Sequence, residues 1–197
     1  MKIGITLGLK KKNESMWING IKLNAIFLMN ALEVYDLKDL SLCGHSMGGL
    51  VALDMALNHN FPIKELILVN SIYPTRVADA LLAKANAGNG DAANFIIKYG
   101  LYRRLLGMRN AFSEADDLVM LDDLNACNNY ELDLNDIKNL DIPISIILGS
   151  KDRLVDLKAV ESFIDVVPSE TYTMDEVGHF SFFEDPVELS RLISKIV

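Results

Sequence analysis

Cysteine is scarce in this chain, with only Cys43 and Cys127 among 197 residues. Two such distant thiols make neither a disulfide framework nor a zinc-binding spacing, and Cys43 sits in an apolar run that reads as a buried strand. A reducing, cytoplasmic setting is therefore expected. Long apolar runs are missing as well: no segment reaches the roughly 18 uninterrupted apolar residues needed to span a bilayer. The N-terminal "MKIGITLGLKKK" has an apolar stretch too short for an export signal, with lysines where a small-residue cleavage site would stand. No membrane association is expected. Positive charge is not in excess either, because the formal net charge is −8 and the acidic residues are spread along the chain. Nucleic acid is thereby disfavoured as a partner. Histidine is limited to His45, His59 and His179, which shortens any search for an imidazole base.

What is present has the look of one layered domain, and the length is sufficient to bury a core without covalent staples. The runs "LSLC" (40–43), "KELILVN" (64–70) and "ISIILGS" (144–150) are short and apolar, and they end at small or polar residues. Strands covered on both faces of a parallel sheet read in this way. "ETYTMDEV" (170–177) is a more polar fourth candidate. Helical patterns fall between them, at about 17–35, 47–59, 155–165 and 186–196. This alternation specifies an α/β fold with a mostly parallel sheet flanked by helices. In "EDPVELSRLISKIV" Asp185 is the expected N-cap, Pro186 the first helical residue and Glu188 the capping-box partner. Residues 75–135 interrupt the alternation with a polar, mostly helical stretch, expected to form a lid over the strand ends. The helix at 17–35 has Ile18, Ile21, Ala25, Leu28, Leu32 and Tyr35 on one face, with Phe27 and Met29 elsewhere on its circumference. It is more apolar than a surface helix needs, so it packs under a second layer or meets another subunit, making a homodimer.

The chemistry gathers at "SLCGHSMGGLVALDMAL", where one serine stands between glycines at the point where a strand pattern becomes a helix pattern. A serine hydroxyl is a poor nucleophile at neutral pH and needs exposure, a base and donors for the oxyanion. Gly44 and Gly48, two residues on either side of Ser46, give the G-x-S-x-G spacing of a sharp strand-to-helix turn. In that turn the Met47 amide, opening the next helix, points at the developing charge. The alternative is that glycine and serine merely permit close packing at a helix start, so the decision rests on partners. His45 lies inside the turn and is expected to point away from the attack site. His59 ends a helix pattern. His179, in "DEVGHFSFFEDP", follows a strand candidate in a loop able to swing over the sheet, and is the candidate base. Asp152, in "IILGSKDRLV", lies just past an apolar strand and emerges on the same sheet edge, where it would orient the imidazole. Asp156 reads instead as a helix-start residue and Asp175 as a strand-end charge.

"CGHSMGG", "LGSKDRLV" and "VGHFSFFEDPVEL" resemble the nucleophile elbow, acid loop and histidine loop of the α/β-hydrolase superfamily, particularly its small esterase-like and carbon–carbon hydrolase members. The likeness runs from about residue 16 to the C-terminus. It implies Ser46 as nucleophile, Asp152 as acid, His179 as base, Met47 as an oxyanion donor, residues 75–135 as the cap, a small acyl substrate, and no metal or organic cofactor. Serine at the elbow sets the chain apart from the branches with aspartate there.

The resemblance also has a gap, since such proteins carry several strands before the elbow, one ending in a His-Gly loop that gives the second oxyanion donor. Here about 45 residues precede Ser46 and the nearest likeness is Leu7-Gly8 in "ITLGLKKK". Either "KIGITLG" is the strand that pairs with the elbow strand, placing Gly8 near the oxyanion, or it is a remnant of the following strand. Lys10, Lys11 and Lys12 read as a solvated loop or edge-blunting charges rather than as an anion site. Two functions remain open: a serine hydrolase, or an impaired homologue serving as a binding or oligomerising module.

Overall fold

The computed structural model describes residues 2–5, 20–33, 35, 37, 39–58, 62–103 and 116–197. Five parallel strands form one sheet in chain order: β1 (Lys2–Ile5), β2 (Leu40–His45), β3 (Ile63–Val69), β4 (Ile144–Gly149) and β5 (Glu170–Met174). The connecting helices are α1 (Ile21–Leu32), α2 (Met47–Asn58), α3 (Asp79–Ala87), α4 (Asp91–Gly100), α5 (Asp117–Asn128), α6 (Leu134–Lys138) and α7 (Leu157–Val166). Beyond β5 come α8 (Ser181–Glu184) and α9 (Pro186–Ile196). The α/β class and all four strand segments read from the sequence are present.

β3 from Leu66 onward and β4 are mostly apolar because both of their faces are covered. Side chains alternate between faces along a strand. Leu66, Leu68, Ile144, Ile146 and Leu148 join a core with Ala25 of α1, Val51 and Leu53 of α2, and Phe163 of α7. Their neighbours Ile67, Val69 and Ile147 face the other way, onto Met174, Val177 and the α9 residues Leu189 and Leu192. Complete burial of one such side chain stabilises the fold by about 1.5–3 kcal/mol. The edge strand β5 is largely exposed before Met174, which accounts for its polar sequence.

Two of the helix starts illustrate side-chain capping. The Asp185 carboxylate accepts from the Glu188 amide with Pro186 opening α9, and Asp156 accepts from the Lys158 amide at the start of α7. Each cap satisfies one of the orphan amides of a helix N-terminus.

α1 differs from its expected form. It runs from Ile21 to Leu32, and its buried row is Ile21, Asn24, Ala25 and Met29. Met29 lies one turn beyond Ala25 and so shares its face, whereas Tyr35 lies past the helix end and is exposed. Leu23, Ile26 and Phe27 are exposed on the far side. Ile18, Gly8, Lys10, Lys11, Lys12 and His59 lie outside the described residues. β1 pairs in parallel with β2, with Ile5 opposite Gly44, so "KIGITLG" begins as the strand beside the elbow strand. Among the described residues no helix is long and apolar enough to cross a membrane.

Because every strand runs the same way, the residues following β2, β3, β4 and β5 emerge at one edge of the sheet. The helices between β3 and β4 leave from that edge too. They have a core of their own, Leu81, Ala85, Ala92, Ala93, Leu101 and Met120, which Phe180 joins from the loop after β5.

Candidate active site

The turn at Ser46 is strained and tightly packed. Ser46 adopts φ 51°, a left-handed conformation that costs a non-glycine residue about 1–3 kcal/mol unless its surroundings hold it. Three hydrogen bonds do so: Ser46 N–H donates to the Val69 carbonyl (3.1 Å), Gly49 N–H to the Ser46 carbonyl (2.9 Å), and the Ser71 hydroxyl to the same carbonyl (2.7 Å). Residue 44 must be glycine because a Cβ there would overlap the Gly48 carbonyl. Gly49 is under the same constraint from Ser71. That second constraint was missed in the sequence, although the Gly-Gly pair was its visible signal. Met47 is the first residue of α2, so its N–H has no acceptor within the helix.

Asp152 stands three residues beyond the end of β4, and both of its oxygens are used. Oδ1 accepts from the amides of Leu154 (2.8 Å) and Val155 (3.2 Å), while Oδ2 accepts from Asn70 Nδ2 (2.9 Å) and meets His179 Nδ1 at 2.8 Å. The Asp152 and His179 side chains are 4% and 7% exposed, so water competes little for this contact. Burial pushes the Asp152 carboxyl up, but the His179 bond and charge and the bonds from Leu154 and Asn70 outweigh it, and the net displacement is downward. An ionised Asp152 is only an acceptor, which puts a proton on His179 Nδ1 and leaves Nε2 free to act as a base.

His179 is held through its main chain as well. Its N–H donates to the Gly100 carbonyl at 2.6 Å. Its carbonyl accepts from His45 Nε2 at 2.7 Å, with the two rings 4.9 Å apart. Since a carbonyl only accepts, the His45 proton sits on Nε2. Burial, then the neighbouring His179 charge, pushes His45 down to about 3, and it stays neutral. Among the described residues its one ring hydrogen bond is to this main-chain oxygen.

The structure therefore brings Asp152 and His179 into direct contact and places Ser46, through its neighbour His45, against the same loop. Among the described residues the Ser46 hydroxyl has no hydrogen-bond partner. Nucleophile–base bonds are often loose before substrate arrives. Gly8, the expected second oxyanion donor, lies outside the described residues. No cluster of metal-ligating side chains occurs among the described residues. Tyr73, just past β3, is a packing residue: its hydroxyl donates to the Leu132 carbonyl and its ring meets Tyr130 edge-on.

Two further residues of the site had escaped the sequence reading. Asn70, just past β3 with φ 45°, donates to Asp152 Oδ2 and to the Gly178 carbonyl (3.3 Å), and accepts from the fully buried Ser181 hydroxyl at 2.8 Å. Asn70 was readable only as the polar end of a strand.

Comparison with known proteins agrees with this architecture. Residues 24–192 match the alpha/beta hydrolase family. A pimeloyl-[acyl-carrier protein] methyl ester esterase from Aromatoleum aromaticum is 25% identical, over 81% of this chain and 74% of its own length. Among solved structures, an esterase from Exiguobacterium antarcticum superposes with a TM-score of 0.82 at 17% identity, covering 96% of this chain and 78% of that one. A thermophilic esterase does so with 0.83 at 23% identity, covering 96% and 77%.

Proposed function

Given that this chain is a hydrolase of the alpha/beta hydrolase family, we propose that it is a serine esterase of small acyl substrates, with Ser46 as nucleophile, His179 as base and Asp152 as acid. The observation that carries the reading is the buried Nδ1···Oδ2 contact between His179 and Asp152 beside a serine held at positive φ.

In this mechanism Ser46 Oγ attacks the ester carbonyl while His179 Nε2 takes its proton, and the carbonyl π pair moves onto oxygen. Met47 N–H, with Gly8 as the second donor, receives the oxyanion. The intermediate collapses, the alkoxide leaves with the proton from His179, and the acyl group stays on Ser46. Water then attacks, His179 again takes the proton, and the acid and free Ser46 are released. Asp152 keeps the imidazole in one tautomer and offsets its positive charge during both steps. No metal or organic cofactor takes part. Residues 75–135, which include α3, α4 and α5, act as the cap over the site, and the ester named for the Aromatoleum relative supports a carboxylic ester as the substrate class. Expected partners are thus small molecules, at a cytoplasmic location.

The test is intact-mass analysis after exposure to a fluorophosphonate, with Ser46→Ala and His179→Ala proteins alongside. One adduct, abolished by the first substitution and greatly slowed by the second, is the expected result. No adduct on folded wild-type protein overturns the proposal. It would bring forward the second reading, an impaired homologue acting as a binding or homodimerising module, which the exposed Leu23, Ile26 and Phe27 of α1 favour.

A further inference from the structure

We infer that Glu184 is a positioning residue that clasps the loop carrying His179 to the exit of α4, so that the cap and the catalytic imidazole move as one body. The inference rests on the esterase reading for its kinetic consequence, and on geometry for the clasp itself.

Glu184 ends the four-residue helix α8 and is buried. A buried carboxylate needs a cation or several strong donors. Its donors are three backbone amides from two distant segments. Oε1 accepts from Gly178 N–H at 3.0 Å, immediately before His179. Oε2 accepts from the Tyr102 and Arg103 amides at 2.9 Å each, immediately after α4. The same two segments are joined in the reverse direction, because His179 N–H donates to the Gly100 carbonyl. Apolar packing reinforces the joint. Phe180, which belongs to the core of the α3–α5 segment, lies so close to Gly100 that a Cβ there would approach its ring to 2.6 Å. Side-chain ties at the rim are weaker: the Arg103–Glu176 pair spans 3.4 Å between exposed groups.

The arrangement requires a carboxylate in particular. A glutamine at this position offers one oxygen and one NH2 group. Turning the oxygen to Tyr102 and Arg103 sets the NH2 against Gly178 N–H, donor against donor. The side that loses its bond is the one bearing His179. A displaced imidazole lowers turnover while leaving substrate affinity nearly intact, since its contribution comes in the transition state.

The test combines amide exchange by NMR with ester kinetics. In wild-type protein the amides of Gly178, Tyr102 and Arg103 are expected to exchange at one common rate, since all three open together. In Glu184→Gln the Gly178 and His179 amides exchange faster, the downfield Nδ1–H resonance of His179 broadens, and kcat falls about 10–100-fold with KM within about twofold. Arg103→Ala, which breaks the rim ion pair and keeps the amide, leaves the exchange rates as they were. Exchange rates in wild type that differ more than about tenfold between the two segments, or a folded Glu184→Gln protein with unchanged kcat and His179 resonance, overturn the clasp. If Glu184→Gln fails to fold, the wild-type exchange rates decide alone. Exchange needs no turnover, so common exchange in a protein without esterase activity would sink the function and leave the clasp standing.

Discussion

His45 holds the main chain of His179: its Nε2–H meets the His179 carbonyl at 2.7 Å. The residue before the elbow serine thus reaches across the sheet edge to the loop that bears the candidate base. The bond fixes a proton on Nε2, while burial and the His179 charge keep the ring neutral, so His45 responds to acid in a way that can be measured.

Burial, then the His179 charge, lowers His45 to about 3 in the folded chain, against an ordinary value of 6.5. Between those limits the unfolded chain takes up a proton that the folded chain refuses. Its contribution to stability is therefore unchanged above about pH 6.5 and declines as pH falls toward 3. At pH 5 the decline from this group amounts to about 2 kcal/mol. Urea unfolding of wild type and His45→Phe at pH 7.5 and pH 5 is expected to show a smaller loss in the variant. Equal losses would remove His45 as a source of acid sensitivity.

Asn70 stabilises the ionised form of Asp152 and, through Ser181, is itself held in place. Asp152 has a depressed folded-state value, so its contribution is present above the unfolded carboxyl value and is lost as pH falls through the depressed one. Asn70→Ala removes one of the bonds favouring the carboxylate and moves that loss to higher pH. The expected kinetic effect is a fall in kcat/KM of about tenfold. Aryl-ester kinetics at neutral pH and acid unfolding curves check the two parts separately.

Gly44→Ala tests the elbow's packing. The new methyl would overlap the Gly48 carbonyl, which is main chain and cannot swing aside. A loss of about 1–3 kcal/mol is expected, together with a sharp fall in fluorophosphonate labelling as the turn opens. Thermal unfolding and labelling rate measure the two effects. A variant as stable as wild type would mean that the turn is looser than its geometry indicates.

Tyr130 and Asp54 form a buried pair away from the site. The Tyr130 hydroxyl donates to Asp54 Oδ1 at 2.8 Å, and Asp54 is 2% exposed. Burial, then the bond to Asp54, pushes the tyrosine hydroxyl up, so it remains a donor throughout the working range. Tyr130→Phe leaves the carboxylate without this partner and is expected to cost about 1–3 kcal/mol. Denaturant midpoints of the two proteins provide the comparison.

The class of fold was legible because it depends on patterns that repeat locally. Apolar runs such as "KELILVN" and "ISIILGS", short and ended by polar or small residues, read as strands buried on both faces, and the helical patterns between them read as crossovers. The α9 cap was equally plain, since Asp185, Pro186 and Glu188 act on one another within a single turn. α1 was harder. Its apolar residues surround the helix, and only the neighbours available to pack against decided that Met29 goes inward while Phe27 and Tyr35 stay out.

Ser46, Asp152 and His179 were singled out in sequence because each follows a strand candidate, and parallel strands deliver such residues to a common edge. Strand order and the contacts across that edge were decided by tertiary structure alone. Asn70 carries no motif, and Glu184 was read only as part of "FEDP". They became functional candidates when folding brought Gly178, Tyr102 and Asp152 within hydrogen-bonding reach from as far as 82 residues away. A local pattern records what a residue does to its near neighbours in the chain. Hydrogen bonds between distant loops depend on how the sheet edge closes, and that is written in no single segment.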